Sequence, residues 1–321
     1  MHYRPLGKTG LMVSEIGFGA WGIGGGWGER RDDEALQTLT HALNSGINFI
    51  DTALAYGEGV SERLVGQAIR AADRPVVVAS KVPPKNRVWP ARPGTPLSEA
   101  FPRDYIVECT ERSLSHLGLE TLDVIQLHVW SDEWADQDDW KEAARTLKDN
   151  GMIRAFGLSI NDHEADNALK ALDTGLIDTV QVIYNIFEQR PEERLFPRCQ
   201  ELGVGVIVRV PFDEGGLTGS IRPDTVFEKG DWREHYFSGN RKQEVFDRVE
   251  KLRFLERDGR TLPEAALRFC LSNPAVSTVI PGMRSPRRVD ENARAGDGKG
   301  LPAEDLQALK AHAWPRNFYR D

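Results

Sequence analysis

The sequence predicts an α/β fold, a parallel sheet of eight strands closed into a (β/α)8 TIM barrel, with a β-hairpin cap before it and extra helices after it. Two observations carry that expectation. Eight short apolar runs alternate with stretches whose apolar residues recur at helical spacing. Polar residues stand where those runs end: Asp51, Lys81, His128, Ser159, Asn185 and Arg209. In a barrel such ends converge on one mouth. In an open doubly wound sheet, the alternative, they spread along a line. No linker or shift of composition divides the chain. Residues 1–321 are therefore expected to form a single domain, a size that barrels reach.

The elements follow in order. Segment 3–13 has turn signals at Leu6-Gly7-Lys8 and Thr9-Gly10 and reads as the hairpin. Residues 16–19 form the first barrel strand. Segment 22–28 is glycine-rich and expected to be mobile; its Gly-x-Gly spacings lack the flanking strand and helix of a dinucleotide fingerprint. Asp32-Asp33-Glu34 places carboxylates where a helix start favours them. Ala35, Leu36, Leu39, Ala42 and Leu43 give that helix its apolar face, and Gly46 ends it. The second strand, 48–50, runs into Asp51. A helix from Ser61 leads to the third strand, 76–81, and Lys81. Residues 83–102, rich in Pro and Arg, form a long loop. A helix from Asp104 precedes the fourth strand, which ends at His128. Then come a loop with Trp130 and Trp134, a helix at 140–147 capped by Gly151, and the fifth strand at 155–159. A helix at 165–172, a strand at 179–183, a helix at 192–202 and a strand at 205–210 continue the alternation. The excursion 213–240 carries Trp232, His235, Tyr236 and Phe237; structureless loops of that length are usually functional or disordered. Helices at 242–256 and 263–271 lead to the eighth strand, 277–280, and tail helices follow at 286–293 and 303–311.

Composition narrows the function. Apolar residues make up 40% of the chain, enough for a large core, and the formal charge is −8 with no basic stripe, which argues against a nucleic-acid partner. No apolar run is long enough to span a bilayer, and Met1-His2-Tyr3-Arg4 begins no signal peptide. Cys109, Cys199 and Cys270 are far apart and odd in number. They read as reduced thiols of a cytoplasmic protein, not as a disulfide frame or a zinc site.

The chemistry gathers around one stretch, Gly46-Ile47-Asn48-Phe49-Ile50-Asp51-Thr52-Ala53-Leu54-Ala55-Tyr56-Gly57. If the barrel forms, Asp51, Tyr56, Lys81 and His128 can meet at its mouth. A free tyrosine is a poor acid near neutrality, with a pKa of about 10. A nearby ammonium stabilises the phenolate and pulls that pKa down. Asp51 supplies the counter-charge that a buried Lys81 needs. The imidazole of His128 can direct a substrate carbonyl by hydrogen bonding. Such a site protonates a carbonyl oxygen while hydride reaches the carbon. No side chain is a hydride source, so the chemistry calls for a nicotinamide.

That pattern resembles the catalytic tetrad of the aldo-keto reductase superfamily, in its bacterial, NADPH-dependent form. So do Gly157-Leu158-Ser159, Gln181 with Tyr184-Asn185, Gly215 with Leu217-Thr218-Gly219, and Ile280-Pro281-Gly282 with Asn292. The resemblance runs from Leu6 to about Asn292. It implies a barrel with an extended NADP(H) across its mouth and a small carbonyl or alcohol substrate. It further implies Tyr56 as general acid, Lys81 tuning it, Asp51 holding Lys81, and His128 orienting the carbonyl. Ser159 and Gln181 would grip the nicotinamide carboxamide. Gly19, Ala20, Trp21, Asp51 and Pro211 would also border the cofactor, and Leu217, Thr218 and Gly219 would lie along the pyrophosphate. Arg288, Glu291 and Asn292 match the adenosine-phosphate end. Arg284 and Arg288 suit a 2′-phosphate, because guanidinium matches phosphate oxygens with paired donors.

Three positions depart from the family pattern. Arg209 stands where most members stack an aromatic ring on the nicotinamide; a guanidinium can also stack. Asn161 sits one place later than the usual Ser-Asn pair, with Ile160 between. Gly282 replaces a lysine common at the 2′-phosphate. Singly, each tetrad residue has a plain structural role as cap, core tyrosine or strand end; together, at successive strand ends, they point to a site. Trp21 and Trp130 read equally as packing or as an aromatic substrate pocket, and Trp232 more as packing; Arg284, Arg287 and Arg288 read as phosphate contacts or a solvated helix face, with phosphate contact favoured for Arg288 ahead of Arg284. Function thus reads as carbonyl reduction. The alternatives are an NADPH-binding sensor or regulatory subunit on the same scaffold and, ranked last for want of a second carboxylate beside Asp51, a hydrolase. Substrate choice is expected to lie in loops 21–30, 83–102, 130–138 and 213–240.

Overall fold

The computed structural model describes residues 1–25 and 31–319. Strands β1 (Tyr3–Pro5) and β2 (Met12–Ser14) pair antiparallel as the expected hairpin. The barrel strands are β3 (Phe18–Gly19), β4 (Phe49–Asp51), β5 (Val77–Val82), β6 (Leu122–Leu127), β7 (Ile153–Ser159), β8 (Thr179–Ile183), β9 (Gly205–Arg209) and β10 (Val276–Val279). Each pairs in parallel with its neighbour in sequence, and bridges from Ile16 to Val279 and from Gly19 to Gly282 close the ring. The closure needs Gly19: a Cβ there would sit 2.7 Å from the carbonyl oxygen of Ile280.

Two apolar clusters follow from the period of a strand, whose successive side chains face opposite sides. Inside the barrel lie Phe49, Ala79, Val124, Ala155 and Ile207, together with Leu6, Leu11 and Val13 of the hairpin segment. The hairpin therefore plugs the end of the barrel away from the polar strand ends. The outer faces of the strands pack on α1 (Asp32–Asn44), α2 (Val60–Arg70), α3 (Leu97–Ala100), α4 (Arg103–Leu117), α5 (Asp139–Asp149), α6 (Leu169–Asp173), α7 (Leu195–Leu202), α8 (Arg233–Tyr236), α9 (Arg241–Glu250), α10 (Leu262–Leu271), α11 (Pro286–Ala293) and α12 (Ala303–Leu309). Thr261 and Ser285 cap α10 and α11 by accepting from the amides of Glu264 and Arg288, with a proline early in each helix.

Several elements differ from the sequence reading. The helix expected at 165–172 begins only at Leu169. The preceding residues serve a loop network instead: Glu164 accepts from Asn161 and Asn167, and Asn167 holds the carbonyl of Trp130. The excursion 213–240 is ordered in part by a 3-10 turn, Asp213–Thr218, and by α8. Aromatic packing fixes it, with Trp232 stacked on Tyr319 at 5.5 Å. The helix expected to reach 256 stops at Glu250 and gives way to a 3-10 turn, Arg253–Leu255. Of the glycine-rich segment 22–28, residues 26–28 lie outside the described residues.

Beyond α12 the chain runs back to the polar end of the barrel. Trp314 is held between the guanidiniums of Arg248 and Arg316, each 4.0 Å from its ring. Arg316 pairs with buried Asp213, and the Tyr319 hydroxyl donates to Glu214. All three cysteines are buried and unpaired. Among the described residues no helix is long and apolar enough to cross a membrane.

Candidate active site

The carboxyl ends of the barrel strands surround a cavity of about 670 Å³. Lys81, at the end of β5, is fully buried and donates to Asp51 of β4, to the carbonyl of Thr52 at 2.9 Å and to the Tyr56 hydroxyl at 3.2 Å. Parallel pairing of β4 with β5 brings these residues together: Asp51 stands beside Ala79, and the turn after Asp51 folds over the end of β5. The other carboxylate oxygen of Asp51 accepts from Gln181 at 2.7 Å and from Gln126 at 3.3 Å. The buried charge pair is thus hydrogen-bonded on both sides, as a buried ion pair requires.

The electrostatics set the protonation states. Burial pushes the Tyr56 hydroxyl up; Lys81 opposes it, Asp51 reinforces it, and the balance lies above the ordinary value of 10.0. The sequence reading had the direction of the Lys81 effect, but desolvation outweighs it. For Lys81, burial disfavours the charge, yet Asp51 and Tyr56 hold its pKa above 10.5, so the ammonium persists. Burial, then Lys81 and Arg209, drive His128 well below 6.5, so the imidazole is neutral at physiological pH. Its ring lies 5.6 Å from the Tyr56 ring, and its buried Nδ1 has no hydrogen-bond partner.

The remaining predicted residues divide into two groups. Gly19, Trp21, Ser159, Gln181, Arg209, Pro211 and Thr218 line the cavity, and so do Gly282, Arg284, Arg288 and Asn292. Ala20, Leu217, Gly219 and Glu291 do not. Ala20 is buried, its amide donating to the Asp51 carbonyl and its own carbonyl accepting from Ser61. Leu217 is fully buried in the core, so only its backbone could follow a cofactor. Gly219 turns back beside Arg253, and Glu291 pairs with Arg288 at 2.7 Å. Arg209 donates to the Ile160 carbonyl and to Asp162, each at 2.9 Å, and its buried Nε is left without a partner.

Of the tryptophans, Trp130 packs in the core against Trp134 and Trp140, whereas Trp21 and Trp232 meet edge to face at 5.9 Å on the cavity wall. Among the cavity residues that escaped the sequence reading are Trp89, Glu214 and Tyr319. Trp89 lies 4.6 Å from the His128 ring; Glu214 and Tyr319 form the wall near Arg209. Trp89 sits in a Pro- and Arg-rich loop without periodicity, and the contact of Tyr319 with Glu214 spans the chain, so neither left a local signal.

The donor set suits a dinucleotide. The guanidiniums of Arg284 and Arg288 on the cavity wall can meet phosphates. Ser159, Gln181 and Arg209 line the same cavity as Tyr56 and offer a hydroxyl, an amide and a planar cation to a ring.

The Aldo/keto reductase family model matches residues 15–313. An aldo-keto reductase of Bacillus subtilis is 32% identical over 90% of this chain and 87% of its own. The NADH-specific methylglyoxal reductase of Escherichia coli is also 32% identical, over 91% of this chain and 92% of its own. The holo form of an aldo-keto reductase from Bacillus halodurans superposes with a TM-score of 0.76 at 30% identity, covering 100% of this chain and 99% of that one.

Proposed function

The chain belongs to the aldo/keto reductase family, and on that premise we propose that it reduces an aldehyde or ketone to an alcohol at the expense of NADPH. One observation carries the reading: the Lys81 ammonium bridges Asp51 and the Tyr56 hydroxyl at the cavity. Bound nicotinamide supplies the hydride. The chain's own residues handle the proton. His128, neutral, directs the carbonyl oxygen towards the Tyr56 hydroxyl. Tyr56 gives up its proton as negative charge grows on that oxygen, and the phenolate left behind is stabilised by Lys81. Asp51 keeps Lys81 charged and in place, and Gln181 and Gln126 keep Asp51 in place.

Ser159 and Gln181 would hold the carboxamide, Arg209 would lie against the nicotinamide, and the backbone around Gly215 and Thr218 would follow the pyrophosphate. Arg284, Arg288 and Asn292 would take the adenosine end. Two arginines on that part of the wall support NADPH over NADH, although the Escherichia coli relative is NADH-specific. Trp21, Trp89 and Trp232 line the cavity, so either cofactor can be titrated by tryptophan fluorescence while aldehydes are screened by loss of nicotinamide absorbance. Binding of NADPH with turnover of an aldehyde is expected. No binding sinks the proposal, and tight binding without turnover of any carbonyl replaces it with a sensor role.

A further inference from the structure

The displaced asparagine has a partner of its own. Asn161 is buried just beyond β7. Its Oδ1 accepts from the amide of Ala91 at 3.2 Å, and its Nδ2 donates back to the carbonyl of the same residue at 3.1 Å. The side-chain amide thus pairs with the backbone of Ala91 as one strand pairs with another. Nδ2 also donates to Glu164 at 2.9 Å. Both ends of the amide are therefore committed to protein groups, and the loop they clamp is the one that carries Trp89.

Trp89 lies two residues before Ala91 on that loop. Its ring stands 4.6 Å from the His128 ring at an interplanar angle of 89°. It is 43% exposed, and among the described large apolar residues that are exposed it is the one that lines the cavity. An aromatic face left open beside a reacting centre is surface that a bound group can cover. Pro90, Val129 and Ile160 continue this wall in apolar residues.

We infer that Asn161 is a positioning residue that fixes Trp89 against His128, and that the wall so made selects aldehydes bearing a flat apolar group, aryl or conjugated alkenyl, on the carbonyl carbon. The inference rests on the reductase reading. Once the carbonyl oxygen is held between His128 and the Tyr56 hydroxyl, the group on its carbon lies along Trp89. A flat group gains ring contact there, and a methyl group gains little. Asn161 takes no part in holding the cofactor, because its amide is already paired.

The test uses the full-length protein, with benzaldehyde and acetaldehyde as substrates and NADPH binding followed by fluorescence. In Asn161→Ala, kcat/KM for benzaldehyde relative to acetaldehyde is expected to fall about tenfold, chiefly through KM, the scale of one aromatic contact. NADPH affinity should stay unchanged. Trp89→Ala, at a partly exposed position, should give the same fall even if Asn161→Ala folds poorly, and the double variant should fall no further than either alone. An unchanged ratio in both single variants overturns the inference. So does weaker NADPH binding by Asn161→Ala with the ratio intact, which would return Asn161 to the carboxamide. A wild-type protein that binds NADPH but reduces neither aldehyde sinks the reductase reading itself, an outcome distinct from variants that leave an active enzyme's preference untouched.

Discussion

Replacing Lys81 by Met keeps the length and apolar stem of the side chain and removes its charge. The ammonium stands 3.2 Å from the Tyr56 hydroxyl. At that separation, with an effective dielectric of about 20, unit charges interact by about 5 kcal/mol, the most by which Lys81 can favour the phenolate. A proton about half transferred in the transition state would feel roughly half of this, and each ~1.4 kcal/mol is a decade of rate. Turnover is therefore expected to fall between about a hundredfold and ten-thousandfold, the range of general-acid effects. The variant also strands Asp51, buried and left with its two glutamine donors. Breaking a buried pair from one side costs roughly 3–5 kcal/mol, so the thermal midpoint should drop as well. The two effects separate in Lys81→Met with Asp51→Asn, which removes both charges. That double variant should regain stability without regaining turnover. Activity is read as kcat with a saturating aldehyde, and folding as NADPH binding by fluorescence. Near wild-type turnover in folded Lys81→Met, or recovery of turnover in the double variant, would refute the assignment of Lys81 to the phenol.

Tyr56→Phe should lose turnover by about 10²–10⁴ while NADPH still binds; retained activity would remove Tyr56 from the acid role. Because His128 is held well below 6.5 and Tyr56 above 10.0, neither should contribute an ionisation between them; in Glu214→Gln, which removes the cavity carboxyl that titrates at about 7, a remaining limb near 6.5 in kcat would contradict the neutral imidazole. Arg288→Ala and Arg284→Ala should each weaken NADPH about tenfold, the scale of one hydrogen bond to a charged group, and leave NADH nearly unaffected; equal losses for both cofactors would exclude a 2′-phosphate contact. Burial pushes Glu214 up to about 7 despite its hydrogen bond from Tyr319. The folded chain thus holds a proton there that the unfolded chain has released, and stability falls as pH rises from the ordinary carboxylate range to about 7. Glu214→Gln should therefore raise the thermal midpoint above neutrality and change it little in acid; the opposite pH dependence would mean that the carboxylate is welcome where it lies.

The parts of this site that were legible in the sequence share a cause. Asp51, Lys81, His128, Ser159 and Arg209 each close an apolar run, and a parallel barrel turns a position along a run into a position in space. Tyr56 could be placed because only a short turn separates it from Asp51. Side-chain direction beyond the strands was not legible. Leu217 and Glu291 were expected beside the cofactor, but Leu217 is buried in the core and Glu291 pairs with Arg288. Trp89 depends on a loop held from residue 161, and Glu214 on a tyrosine 105 residues away. Contacts of that range leave no periodicity to read. The short α6 shows the same limit from another side. Residues 165–168 had helical spacing, yet Asn167 is drawn into the loop network, whose bonds compete with the first turn of a helix.

The charges around the cavity follow one scheme. Two cations act on Tyr56 and His128, Lys81 and Arg209, and each is paired with a carboxylate, Asp51 and Asp162. The groups set to meet the substrate, the Tyr56 phenol and the His128 imidazole, are both neutral at physiological pH, and for His128 the cations are part of the cause. A resting site with balanced charges costs little to bury. It is also biased towards one event, because new negative charge placed near Tyr56 finds Lys81 already in position and needs no rearrangement. A carbonyl accepting hydride creates such a charge on its oxygen, and transfer of the phenol proton moves that charge next to the ammonium. A substrate that brought its own negative charge would instead meet cations whose partners are already bound. On the proposed reading, a neutral carbonyl compound is therefore expected to show a higher kcat/KM than an anionic one of similar size, and the reverse order would count against this charge scheme.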